Sequence, residues 1–495
     1  MFRLFSSCPP ADVPDVDIVP LYPPNTDAGV QSVVGTYTFT FNGKLDPERL
    51  RASLYDLIKI KWRILGARLV YNSKVFQKSW PYLQCSFFYL STFQTKNLEY
   101  HVPRTFDSST PPCSFEYQTY DAPLDKYISQ PKRLPDAISI QPDPVQNFPF
   151  AGFNPKRTFN TYLVKPPTPV LSVYCSVFTD ATQIGMTLPH AFNDTKGMSE
   201  IMNAWSTCLT HGINSAAIPE LPLDYNPVGH IAATHPPVAL PGHRIFSIWE
   251  YIQFVARIIW DLLWKPKESR KIVHFPVAVL DQMKNEAHAE LGESLGDNQS
   301  LTNNDILTAW LVKAMFHPDI YTAAGDQTPV GVGIIYDAHR RLKSFFPLPY
   351  LHNTIDVVCV YPWITIYEIQ LLSLARLALR IRTCVSQTLT EEAVRNQLAW
   401  RVKKGGIPFP YNGTLVTATS WRNSSFENVD FSAALCSDSV TSKWPEAKVD
   451  KSHAVTGVGR MTMLFPMAVS SYCRNMATWP VSPMPRFRYC DYLLC

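Results

Sequence analysis

The sequence predicts an α/β protein of two similar domains, and three observations carry that reading. The chain has 495 residues, more than one hydrophobic core ordinarily serves. On both sides of its middle, apolar runs of strand character alternate with apolar stripes at helical spacing, a pattern that suits sheets layered with helices. Between the halves, residues 215–243 are rich in proline and show no periodicity, which reads as a linker. The expected division is residues 1–212, a crossover linker with an apolar helix over 213–264, and residues 265–495.

Residues 1–34 are proline-rich and irregular, and YTFTF (37–41) alternates as a strand does. Asp46 as N-cap and Pro47 at the first helical position open a helix with Leu50, Leu54, Leu57 and Ile58 on one face, and GARL closes it with a turn. Residues 72–165 mix short aromatic strands with many prolines. VLSVYCSVF (170–178) and QIGMTL (183–188) flank the polar turn TDAT and predict a β-hairpin. His190 and Asp194 follow in a short loop, then Gly197. Met198, Ile201, Met202, Trp205, Cys208 and Leu209 recur at helical spacing up to Gly212, a C-cap candidate.

In the second half, Thr302 with Asp305 resembles a capping box, and the stripe from Ile306 to Met315 predicts a helix over 303–316. PVGVGIIYDAHRRL (329–342) reads as a strand running into a basic turn. A Leu- and Arg-rich helix over 366–386 follows, then the strands LVTATSW (415–421) and GRMTMLFP (459–466). IFSIWEYIQFVARIIWDLLW (245–264) has the length of a membrane span, but Glu250, Arg257 and Asp261 would each cost several kcal/mol at mid-depth in lipid. It reads as a largely buried or interfacial helix.

Composition excludes several function classes. A net charge of +4, not gathered into basic blocks, gives no support to nucleic-acid binding. Charged residues make up 17%, below the usual quarter, which fits a protein enclosing a cleft for an apolar ligand. MFRLFSSCPPADVPDVD lacks the apolar core of a signal peptide. Eleven cysteines without a C-x-x-C pair point to reduced thiols and to neither a disulfide framework nor a zinc site, so the expectation is a cytoplasmic protein without metal. G-x-S-x-G is absent, and Gly457-x-Gly459 lacks the third glycine of a nucleotide-binding loop.

The chemically informative stretch is TLPHAFNDTKGMSEIMNAW (187–205). A histidine where a strand ends can be presented to a cavity while the following helix holds its loop. The same residue reads equally as a core histidine bonded to backbone, and the residues alone leave both readings open.

Several separated stretches resemble the BAHD-type CoA-dependent acyltransferases, and within them the fungal branch that acylates secondary metabolites, trichothecene O-acetyltransferases included. HAFND is similar to the family's HxxxD signature, and ERLRASLYDLIKIKWRILGARL to its first helix and "AGRL" turn. LTNNDILTAW is similar to its "ND-x-x-x-A-x-x-W" helix, and YDAHRRL with LPYLHNTIDVV to "D-x-R-x-R-L" and "Y-F-G-N". TSWRNSSFENVDFSAAL resembles the "TSW" strand followed by the "DFGWG" box. Their order across residues 45–435 makes the resemblance specific, where HxxxD alone would be weak.

The resemblance implies two chloramphenicol-acetyltransferase-like domains with an active-site tunnel between them. It implies an acyl-CoA co-substrate, most simply acetyl-CoA, with no bound cofactor, and a monomer. His190 is then the general base that takes the proton of an acceptor hydroxyl. Asp194 takes a structural part, paired with Arg341 rather than orienting the histidine, and Asp430 anchors a loop. Ser420 and Trp421 border the tunnel or assist the oxyanion, although a packed strand end explains them equally. The low charge leans towards an apolar alcohol such as a terpenoid or polyketide as acceptor.

The chain departs from the pattern in two places. DFSAA (430–434) keeps the acid and the aromatic of the box but loses both glycines and the tryptophan, and His339 stands where the first arginine of "D-x-R-x-R" would be. The first departure gives weight to an alternative, a family member repurposed for a cyclisation or rearrangement with His190 as acid or base. Non-ribosomal peptide condensation domains, which share the fold, place a second histidine where this chain has Pro189.

Overall fold

The structure is a computed structural model, and it describes residues 15–31, 33–72, 98–128, 134, 136–141, 149–154, 156–163, 167–264, 271–292, 300–319, 325–406, 408–421, 424–438, 461–469, 476–479 and 489–494. Parts of the expected aromatic stretch at 72–165 and the start of the strand expected at 459 lie outside these residues.

Two mixed sheets dominate the described residues. The first has five strands in the spatial order 461–469, 34–42, 181–189, 172–177, 114–119. Its centre is the hairpin expected from TDAT, with Ser172–Val177 antiparallel to Ala181–Pro189. Every residue of Ala181–Pro189 is buried, because it lies between two strands with the Pro149–Ala151 turn packed against it. Gly185 is required there: a Cβ would lie 1.8 Å from the Ala151 carbonyl oxygen. The second sheet has eight strands, along the path 355–359, 329–337, 414–420, 476–479, 489–494, 271–276, 139–141, with 364–365 added beside 329–337. A small third sheet joins 16–20, 98–103 and 68–71.

Helix boundaries follow their capping chemistry. Asp46 accepts from the amides of Glu48 and Arg49 and starts Pro47–Asp56; Thr302 and Asp305 cap each other at the head of Asn303–Met315. The single helix expected over 366–386 is two, Ile366–Leu371 and Leu374–Thr388. Leu372 turns extended, and Ser373 caps the second by accepting from the Arg376 amide. The basic turn after the strand Pro329–Asp337 is one helical turn, Ala338–Arg341. Inside the expected linker, Asn226 as cap and Pro227 as first residue build a helix over Pro227–Thr234.

Neither large sheet is drawn from one side of the linker alone. Met461–Val469 pairs with Val34–Asn42 in the first sheet, and Ser139–Gln141 pairs with the 271–276 strand in the second. The core of the first sheet likewise takes in Trp421, Phe426, Val429 and Phe431 from the second half of the sequence.

Candidate active site

His190 is the first residue after the buried strand Ala181–Pro189, and its amide donates to the Val33 carbonyl at 2.8 Å. From there the chain makes a tight turn to Asp194, the N-cap of helix Thr195–His211. Four successive carbonyls of this turn each accept a hydrogen bond from a side chain. His190 O takes Asn353 Nδ2 at 2.6 Å, Ala191 O takes the Tyr100 hydroxyl at 2.8 Å, Phe192 O takes His352 Nδ1 at 2.9 Å, and Asn193 O takes Nδ1 of His190 itself at 2.8 Å. Tight turns leave such carbonyls without partners, and here the second half of the chain supplies two of the four donors.

The last bond fixes the chemistry of the ring. With its Nδ1 proton donated to a carbonyl, the neutral imidazole carries its lone pair on Nε2. Burial lowers the His190 pKa below the ordinary 6.5, and the Arg401 cation adds to this, against the opposing pull of backbone carbonyls and Asn353. The residue as a whole is half-buried. At neutral pH it is a neutral, oriented imidazole. His352 is held neutral more strongly: burial depresses its pKa to about 4, and its ring stacks on Tyr100 at 5.4 Å.

Asp194 points away from this ring. Its Oδ1 accepts from the Gly197 amide at 2.9 Å, and its Oδ2 from the Thr354 amide at 2.8 Å. The Thr354 hydroxyl bonds Asp337 at 2.8 Å and reaches Asp194 at 3.4 Å. Burial, with Asp337 nearby, pushes the Asp194 pKa up to about 7. The expected partner Arg341 is elsewhere, donating to the Leu389 carbonyl at 2.9 Å. The pairing is corrected accordingly: a backbone amide and a threonine take the place given to arginine, because helix Thr195–His211 starts directly against the 351–354 segment. Gly197 allows that approach, since a Cβ would stand 2.3 Å from the Leu351 carbonyl oxygen.

The arginine at the seam is Arg401. Its Nε donates to Asp27 Oδ2 at 2.7 Å and its Nη1 to the Ile355 carbonyl, while Asp356 lies 3.7 Å away. Asn25 fastens the same seam by accepting from the Asn353 amide and side chain. Sequence reasoning missed Asn25, Asn353, Thr354 and Arg401. The signal for Asn353 was present in LHNT, directly ahead of the strand Ile355–Cys359; nothing local marks Arg401.

The remaining expected residues scatter. Trp421 is buried and packs on Tyr37 of the first sheet at 5.3 Å between ring centroids, while Ser420 is exposed. Asp430 lies at a clasp between helices. Its backbone amide and carbonyl both bond the Ser206 hydroxyl, at 2.9 and 2.8 Å, and its carboxylate accepts from the Ser432 amide. Phe431 stacks on Phe41 at 4.7 Å and meets Trp205 edge-on at 4.8 Å. Ser432–Ala434 forms a single 3₁₀ turn, and the Ala434 carbonyl accepts from the Asp46 amide. No left-handed backbone occurs in this stretch, so it has no need of the glycines it lacks. Among the described residues, no group of His, Cys, Asp and Glu could hold a metal ion.

No protein-family model matches the chain. Among curated proteins it is 28% identical over 484 residues to acetyltransferase adrJ of Penicillium rubens, covering 92% of this chain and 90% of that one. It is also 27% identical over 313 residues, 59% of this chain and 58% of the other, to a protein named transcriptional regulator sdnM of Sordaria araneosa. Among solved structures it resembles F. sporotrichioides TRI101 complexed with coenzyme A and T-2, with a TM-score of 0.55 at 12% identity over 97% of this chain and 94% of that one. Vinorine synthase matches with a TM-score of 0.52 at 14% identity over 99% and 91%. The chloramphenicol-acetyltransferase-like α/β fold expected from the motifs is the fold of the chain.

Proposed function

We propose that this chain, a CoA-dependent acyltransferase of the BAHD type, transfers an acetyl group to a hydroxyl of an apolar secondary metabolite, with His190 as general base. The observation that carries the assignment is the bond from His190 Nδ1 to the Asn193 carbonyl at the end of a fully buried strand. An acceptor hydroxyl loses its proton to Nε2 as its oxygen attacks the thioester carbonyl. The tetrahedral intermediate then collapses, the C–S bond breaks, and the imidazolium returns the proton to the departing thiolate of CoA. A base so placed typically contributes two to four powers of ten in rate. Asp194 acts indirectly, by fixing the start of helix Thr195–His211 and with it the turn. The acetyl donor is supported by relatives named acetyltransferases, and the apolar acceptor by the low charge of the chain.

The test is incubation of the purified protein with acetyl-CoA and a panel of terpenoid and polyketide alcohols, following free thiol release and a product heavier by one acetyl group. Loss of both signals in His190→Gln supports the reading. Conversion of an intermediate without mass gain and without CoA would refute it in favour of the cyclisation alternative.

A further inference from the structure

Of the two expectations for the helix Ile248–Trp264, largely buried or interfacial, its exposure excludes the first, because it presents large apolar side chains to solvent. Ile248, Trp249, Ile259, Trp260 and Leu263 are each half exposed or more. At about 100° per residue, these five and Ile252 fall within about one third of the helix circumference. Tyr251 and Val255 face the protein, packed with Phe246, Phe254 and Phe409. The charges at positions 250, 257 and 261 share a third, narrow strip. Glu250 is engaged there by Arg244 and Ser247, and Arg257 by the Asn412 carbonyl. The exposed apolar strip therefore carries no charge that burial would have to strip of water.

We propose that this helix lays the protein on an anionic lipid surface, parallel to the membrane plane. Three features select that occupant. Trp249 and Trp260 sit a few turns apart on the exposed side, and tryptophan is the side chain that settles at the boundary between headgroups and acyl chains. In sequence the helix is followed directly by KPKESRK (265–271), with four basic residues and one acid, a balance that anionic headgroups attract. The strip itself is apolar along its length, as settling below the headgroups requires. Insertion across the bilayer is the wrong geometry: 17 residues extend only about 26 Å, and among the described residues no helix is long and apolar enough to span. A lipid surface is also where an apolar acceptor concentrates.

The test is co-sedimentation of the full chain with vesicles of phosphatidylcholine alone and with 30% phosphatidylserine. The comparison is with Trp249→Ser/Ile259→Ser/Leu263→Ser, whose exposed positions leave the core untouched, and with Trp249→Ala alone should the triple variant melt early. The expected result is at least about tenfold stronger partition of wild type than of the triple variant onto phosphatidylserine vesicles, with a severalfold drop on neutral vesicles or in high salt. Absence of wild-type pelleting with anionic vesicles, or equal pelleting of a folded variant, overturns the proposal. So does a lipid-free wild-type dimer that the same substitutions dissociate in sedimentation velocity, because the face would then belong to a second copy.

Discussion

Replacing Asp194 should destabilise the protein in a way that depends on pH, and the sign of that dependence follows from the site. Alanine removes the helix cap, worth about 1 kcal/mol, and leaves the buried Thr354 amide without its acceptor, worth about 1–3 kcal/mol. Against this, the carboxyl is costly to ionise in place, with its pKa pushed from 3.8 to about 7. At about 1.36 kcal/mol per pH unit, the cost approaches about 4 kcal/mol once the group is fully charged. The folded state binds the extra proton between these two values, so wild-type stability from this group is greatest below pH 3.8 and falls as pH rises through 7. Asp194→Ala has no such slope. The gap between wild-type and variant melting temperatures is therefore expected to be wide at pH 5 and to narrow towards pH 8, in melts followed by tryptophan fluorescence at matched ionic strength. A gap that widens with pH would refute the reasoning, since it would mean that the fold stabilises the anion. Lost turnover with an unchanged melting temperature would restore Asp194 to a triad-like orienting part.

For His190, kcat/KM should be flat at neutral pH and fall only below 6.5, because burial lowers its pKa and the neutral ring is the active form; a limb centred above 6.5 would contradict this. His190→Ala should lower kcat by about 10²–10⁴ with little change in melting. Arg341→Ala and Asp194→Ala should lose stability additively within about 0.5 kcal/mol, since Arg341 bonds Leu389 and not Asp194; a larger coupling energy in a double-mutant cycle would reinstate the pair. Phe431→Ala should cost about 3–5 kcal/mol in denaturant unfolding, because that ring is fully buried between Phe41 and Trp205, whereas Ser432→Gly should not tighten acetyl-CoA binding by calorimetry.

What the sequence made legible was local. Asp46 with Pro47, Thr302 with Asp305, and the TDAT hairpin are short-range signals whose partners lie within a few residues, and each stands where it was expected. His190 at a strand end was readable for the same reason. The donors that hold its turn were not, because Tyr100, His352 and Asn353 are remote in the chain and no periodicity reports which carbonyl a distant side chain will reach. The Asp194–Arg341 expectation failed in this way: the family resemblance implied a charge pair, but the close approach allowed by Gly197 brought the Thr354 amide in first. For helix Ile248–Trp264 the sequence left burial and an interfacial position both open, because apolar content alone does not report which way a face points.

The strand exchange between the two sheets bears on how the chain is made. Val34–Asn42 leaves the ribosome about 420 residues ahead of one of its two neighbours, Met461–Val469. Until Met461–Val469 has been made, that side of the first sheet is an open edge with unpaired amides and carbonyls, of the kind that recruits other chains. Closure then requires a contact of very high sequence separation, which is slow to find. Heterologous production should therefore be limited by aggregation of nascent and newly released chains, and slower synthesis at lower temperature or added holdase chaperones should raise the soluble yield more than any substitution in the core.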